Sequence, residues 1–163
     1  MAYQVYVTLE GTAQGKFKGE VEEQGMPNKI GCLTFEFEMN APYDKATGAS
    51  AGKRQMSPVR FVKEWGPASP QIFQALARNE VITSALFEFY RTGPDGARVI
   101  YYTIKLSEGK IVRHHQFVAT AARQALVLDK SAAHELEEVS LIFQKMEVEH
   151  KLAKTMAAET WPA

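Results

Sequence analysis

Ser50 stands in the run Gly48-Ala49-Ser50-Ala51-Gly52. This is the G-x-S-x-G spacing that holds a serine nucleophile on a sharp strand-to-helix turn in hydrolases. Asp129 and His134 follow it in hydrolase order. The context that would activate Ser50 is missing. Pro42–Thr47 is polar and aperiodic where a buried strand should lead in, and Lys53–Pro58 runs toward a strand rather than a helix. A phosphate loop fails on the same stretch. Gly48 and Gly52 stand one residue too close, and Arg54 occupies the place of the magnesium-binding Ser or Thr.

His114 and His115 are adjacent, so in a strand they point to opposite faces and cannot share a metal ion through both rings. His134 with Glu137 and Glu138, and Glu149 with His150, would need ligands from other elements, and are read as solvated polar side chains. Cys32 is the sole cysteine, which excludes an internal disulfide and reads as a buried thiol. Glu36 and Glu38 fall on the solvent face of one strand. The expectation is a protein with no catalytic residues, no metal and no cofactor.

The elements that carry these residues are mostly strands. Tyr3, Val5, Val7 and Leu9 alternate with polar or amphipathic neighbours in Ala2–Leu9, and Phe17 suits a short second strand. Gly31–Asn40 alternates throughout, with Leu33, Phe35, Phe37 and Met39 on one face. In Pro58–Trp65, Val59, Phe61, Lys63 and Trp65 share a side. Val81–Thr92 is apolar on both faces. Gly93-Pro94-Asp95-Gly96 is a turn with a bulge, so Arg98–Leu106 should return antiparallel. Lys110–Ala119 reads as a further strand, and Val139–Val148 as another. Glu20–Glu23 reads as an acidic loop or edge, Ala121–Leu128 as a short helix or loop, and 151–163 as a frayed tail.

One helix is expected over 69–79. Ser69 suits its N-cap and Pro70 its first position, with Arg78 in the last turn. Ile72, Phe73 and Leu76, with Ala77, form an apolar face that must pack on a sheet. The fold class is therefore mainly β: an antiparallel β-barrel or sandwich of about eight strands with one packed α-helix and a long extended loop.

That loop, 40–57, has small residues, glycines and no period. Loops of this length inside a compact domain tend to be functional. It carries Lys45, Lys53 and Arg54, with Arg60 just beyond, while acidic clusters sit at Glu20–Glu23 and Glu135–Glu138. Such complementary patches suit docking one copy onto another.

The bulk numbers agree with a self-associating single domain. In 163 residues, hydrophobic content is 45%, charged content is 23% and the formal net charge is +0. Neutrality permits self-association and argues against nucleic acid as an obligatory partner. No apolar run is long enough to span a bilayer, and the start MAYQVYVTLEG lacks the features of a signal peptide. A protein made in the cytoplasm is expected, one that, if it ever leaves, leaves without a cleaved signal.

The stretches SAGKRQMSPVRFVKEWGPASPQIFQALARNEV, FEFYRTGPDGARVIYYTIKL and HELEEVSLIFQKMEVEH, with the MAYQVYVTLEG start, resemble the Hcp family. These are the haemolysin-coregulated tube proteins of bacterial type VI secretion systems. The resemblance implies a β-barrel domain over 1–150, followed by a tail over 151–163. It implies a homohexameric ring, and rings stacked into a hollow tube that a contractile sheath drives with a spike protein at its tip. Small effector proteins would travel in the lumen. The loop 40–57 would be the family's extended loop, reaching the adjacent ring through Tyr43, Asp44, Lys45, Gly52, Lys53, Arg54 and Gln55. The competing expectation from another class is a monomeric β-barrel that binds a small ligand in its interior.

Overall fold

The computed structural model describes residues 4–19, 28–119 and 135–161. The acidic loop at Glu20–Glu23, the segment Ala121–Leu128, and Tyr3, Asp129 and His134 lie outside the described residues.

The chain opens with β1 (Val5–Gly11) and the short β2 (Gly15–Lys16), followed by β3 (Ile30–Cys32), β4 (Thr34–Glu36) and β5 (Met39–Asn40). Next come β6 (Gln55–Met56), β7 (Val59–Glu64), the helix α1 (Ser69–Ala77) and β8 (Val81–Thr92). The remainder is β9 (Arg98–Val118), β10 (Glu135–Ile142), β11 (Lys145–His150) and β12 (Thr155–Thr160). Among the described strands every pairing is antiparallel. The main sheet runs β2-β1-β8-β9-β10-β7-β4.

No single strand closes this sheet. Instead, residues 30–36 bridge its two ends: β3 pairs with β1 and β4 with β7. The expected continuous strand Gly31–Asn40 is thus three strands. The partner changes at Leu33, whose amide bonds to the Val62 carbonyl at 2.8 Å. A strand that turns from one sheet end to the other wraps the structure into a barrel-like shape, which fits the expected class.

Alternation aims one side of each strand inward. Val7 and Leu9 of β1, Phe61 of β7, Phe87 of β8, Ile104 and Leu106 of β9, and Val139 and Leu141 of β10 all belong to one buried core. Phe87 sits at its centre. Its ring meets Phe35 edge-on at 4.9 Å and Phe61 at 5.6 Å, the geometry that aromatic quadrupoles favour. Cys32 is a buried thiol, as expected.

The hairpin β8–β9 follows its turn sequence. Gly96 has φ 82°, and the Ala97 amide bonds to Asp95 Oδ1 at 3.1 Å. β9 then runs on past Leu106 as one strand rather than two. Glu108 takes φ 51°, and a Cβ on Gly109 would lie 2.6 Å from the Ile142 carbonyl oxygen. The chain kinks there without leaving the sheet. Before the kink β9 pairs with β11, and beyond it with β10.

α1 buries Ser69, Ile72 and Ala75, and Leu76 packs partly against the core. Phe73, expected in the core, is 65% exposed. The helix rests on the row i, i+3, i+6, where small Ser69 and Ala75 allow close approach, and this turns Phe73 outward. Its N-cap is Ala68, not Ser69. It ends at Ala77, two residues short of expectation, so Arg78 is the C-cap. Asn79 at φ 53° completes a Schellman turn, in which Glu80 N–H bonds to Ala75 O at 2.8 Å and Asn79 N–H to Leu76 O at 3.2 Å.

Two C-terminal expectations are corrected. Val139–Val148 is not one strand: the chain breaks between Ile142 and Lys145, where the buried phase shifts from Leu141 and Phe143 to Met146. The tail is not frayed, because β12 pairs with β11 from Lys145↔Thr160 to His150↔Thr155.

Candidate functional site

The expected loop 40–57 folds as a hairpin arm. Met39 and Asn40 pair with Met56 and Gln55, and Tyr43 forms a bridge with Ser50. Asp44 shapes the tip: its Oδ1 accepts from the Ala46 amide at 2.7 Å, and its carbonyl accepts from the Gly48 amide at 2.7 Å. The Asp44 amide closes the turn on Ala49 O at 2.8 Å. Gly48 at φ 72° and Gly52 at φ 138° supply backbone conformations that side chains oppose.

All seven expected loop residues therefore lie on one arm: Tyr43, Asp44, Lys45, Gly52, Lys53, Arg54 and Gln55. Every one of them is exposed. Lys45, Lys53 and Arg54 form no ion pair among the described residues. Arg60 does not belong with them. It is held by Glu36 at 3.8 Å and Glu138 at 3.3 Å. Ser50, the residue of the G-x-S-x-G spacing, sits on this exposed hairpin and not at a strand-to-helix turn.

The acidic cluster at 135–138 is also not a simple surface patch. Glu138 engages Arg60 and Arg113. Glu137 is fully buried, and so is Lys63. Lys63 and Glu137 face each other from β7 and β10 in the inward rows of Phe61 and Val139. Lys63 Nζ donates to Glu137 Oε1, and also to Ser69 Oγ at 3.3 Å and Glu64 O at 2.7 Å. His114 from β9 bonds through Nε2 to Glu137 Oε2, and Ser69 Oγ donates to Oε1 at 2.5 Å. The expectation of a solvated side chain fails for Glu137, which is buried and bonded to His114. The cluster joins β7, β9, β10 and the first turn of α1.

Burial raises the Glu137 pKa, but the His114 hydrogen bond, the charge of Lys63 and the bonds from Lys63 and Ser69 outweigh it. The net result is a fall from 4.5 to about 2. A carboxylate whose folded pKa is depressed contributes stability that is present above its unfolded value and lost as pH falls through the folded one. The expected result is an acid-linked loss of roughly 3 kcal/mol between pH 4.5 and 2 that is absent from Glu137→Gln. Urea unfolding of both proteins across that window measures it. Identical pH slopes would contradict the assignment.

The barrel interior is filled by the aromatic and aliphatic core. One surface groove crosses the outer faces of β8, β9, β11 and β12, with Leu86, Ile100 and Met156 among its apolar lining. Its carboxylates are already matched: Glu88 by Lys29, Glu147 by Lys145 and Glu149 by Lys151. No group of three or more His, Cys, Asp or Glu suited to a metal ion occurs among the described residues.

Comparison with known proteins gives this arrangement a context. The family model described as "Type VI secretion system effector, Hcp" matches residues 6–150. The chain is 27% identical over 172 residues to the "Major exported protein" of Pseudomonas aeruginosa, spanning 99% of this chain and 96% of that protein. Among solved structures, a crystal structure of an Hcp protein superposes with TM-score 0.86 at 21% identity, covering 98% of this chain and 100% of that one. Hcp1 from E. coli EAEC 042 gives TM-score 0.84 at 25% identity, with 99% and 100% covered. The secreted protein Hcp3 from P. aeruginosa gives TM-score 0.79 at 22% identity, also with 99% and 100% covered.

Proposed function

Because the chain belongs to the Hcp family of type VI secretion proteins, we propose that it is a non-enzymatic subunit of the secretion tube. Copies close into a homohexameric ring. Rings stack into a hollow tube that a sheath propels behind a spike protein, and small effectors travel in the lumen. Residues 1–150 form the assembling domain, and the remainder is appended to it. The protein leaves the cell through the type VI apparatus.

The observation that supports stacking is the arm. It is a shaped hairpin in which only Pro42 among residues 39–55 is even half-buried. Fixing a backbone costs about 1–2 kcal/mol per residue, and such an arm returns almost none of that by burial within its own chain. Its cations Lys45, Lys53 and Arg54, without an ion pair among the described residues, are what a charged face on a neighbouring ring would steer. Head-to-tail contacts that do not close give filaments, whereas those that close give rings.

Light scattering with negative-stain electron microscopy on the same sample tests the proposal. Hexameric rings and tubes are the expected result. A monomer at working concentration would overturn the tube reading. Lys53→Glu with Arg54→Glu is expected to shorten or abolish tubes while leaving rings and the melting temperature unchanged. Tubes of unchanged length would remove the arm from stacking.

A further inference from the structure

Three aromatic rings run in series from the C-terminal strand to the root of the arm. Trp161 follows β12, and its amide donates to the Gln144 carbonyl at 2.6 Å. Its indole meets Phe143 at 6.1 Å and 90°. Phe143 meets Phe37 at 6.1 Å and 57°. Phe37 stands one residue before the arm closes: the Glu38 amide donates to Ser57 Oγ at 2.9 Å, and the Ser57 amide donates to Glu38 O at 2.9 Å. Phe37 and Met56, on the two legs of the hairpin, are partly buried against the core, whereas Met39 is 53% exposed. Among the described residues the arm is exposed beyond its root, save for half-buried Pro42, and its direction is set there.

We propose that Trp161 is a positioning residue for the arm, clamping its root through Phe143 and Phe37. The sequence around it agrees. β12 is exposed along its whole length and buries nothing for its own sake, yet it delivers one large aromatic group to this spot. The family match ends at residue 150, so Trp161 lies beyond the matched region while Phe143 and Phe37 lie within it. Its service to stacking rests on the function proposed above.

Trypsin reads the arm directly, because Lys45, Lys53 and Arg54 are its cleavage sites. In Trp161→Ala, cleavage at these sites and amide exchange at Asn40 and Gln55 are expected to rise about tenfold as the root opens locally. Exchange in β8 should stay unchanged, and Trp161→Phe should restore protection. Unchanged arm cleavage, or exchange rising equally in β8, would overturn the clamp. Tube length in the same variant separates the two proposals. A loosened arm with shorter tubes supports both. A loosened arm with normal tubes supports the clamp and overturns the arm's part in stacking.

Discussion

Glu137→Ala is expected to destabilise the fold by about 3–5 kcal/mol, because it removes the buried carboxylate paired with the Lys63 ammonium. Lys63 and Glu137 are both completely buried. Among the described residues, Lys63 would keep the neutral acceptors Ser69 Oγ and Glu64 O. For a chain of this size the melting temperature should fall by roughly 6–20 °C. Replacing both charges together, Lys63→Met with Glu137→Leu, should be milder than Glu137→Ala alone, since apolar side chains of similar volume carry no desolvation cost. Thermal unfolding of wild type, single and double variants decides. An unmoved melting temperature in Glu137→Ala would mean that water or a rearranged partner reaches Lys63.

Phe87→Ala should cost about 3–5 kcal/mol, through lost transfer energy plus the cavity left behind. Phe87 is fully buried and touches both Phe35 and Phe61. Those rings come from different strands and cannot all collapse into the space. Phe73→Ala is the contrast. With Phe73 at 65% exposure, its removal should stay within about 0.5 kcal/mol. Equilibrium unfolding of the two variants side by side measures both. Equal losses would place Phe73 in the core after all.

Where a run of β-branched and aromatic residues is bounded by turn chemistry, the pattern of residues was enough to read it. β8 falls on the expected bounds Val81–Thr92, and the Gly93–Gly96 turn closes as its chemistry requires. α1 was recognisable, but its burial was not. Hydrophobicity ranks Phe73 above Ala75, while close packing on a sheet prefers the small residue. The buried charges left a trace that was passed over. Lys63 shares its row with Val59 and Phe61, and Glu137 its row with Val139 and Leu141. A charged residue in the apolar phase of two strands signals a pair facing across them.

β12 left no trace at all. It pairs by one edge and exposes both faces, so backbone bonds hold it and no side-chain period marks it. The arm was legible as a distinct aperiodic segment and not as a shape. Lys45, Lys53 and Arg54 stood out as cations on an aperiodic stretch, but cross-strand bonds such as Tyr43↔Ser50 obey no hydrophobic pattern. The two histidines divided as alternation requires: His114 turns inward to Glu137, and His115 lies against Phe117.

The pairing of β7 with β10 sets the order of events during synthesis. Lys63 meets its counter-charge only when Glu137 is available, and Val59 pairs with Leu141. A chain emerging from the ribosome therefore carries β7 with one edge unmatched until β10 has been made. A bare strand edge invites pairing with other chains, and partners so distant in sequence find each other slowly. β7 must wait, half-paired, for a strand made much later in the chain. The nascent protein is consequently a better client for a chaperone than the finished one, and its yield in a cell depends on how that interval is guarded.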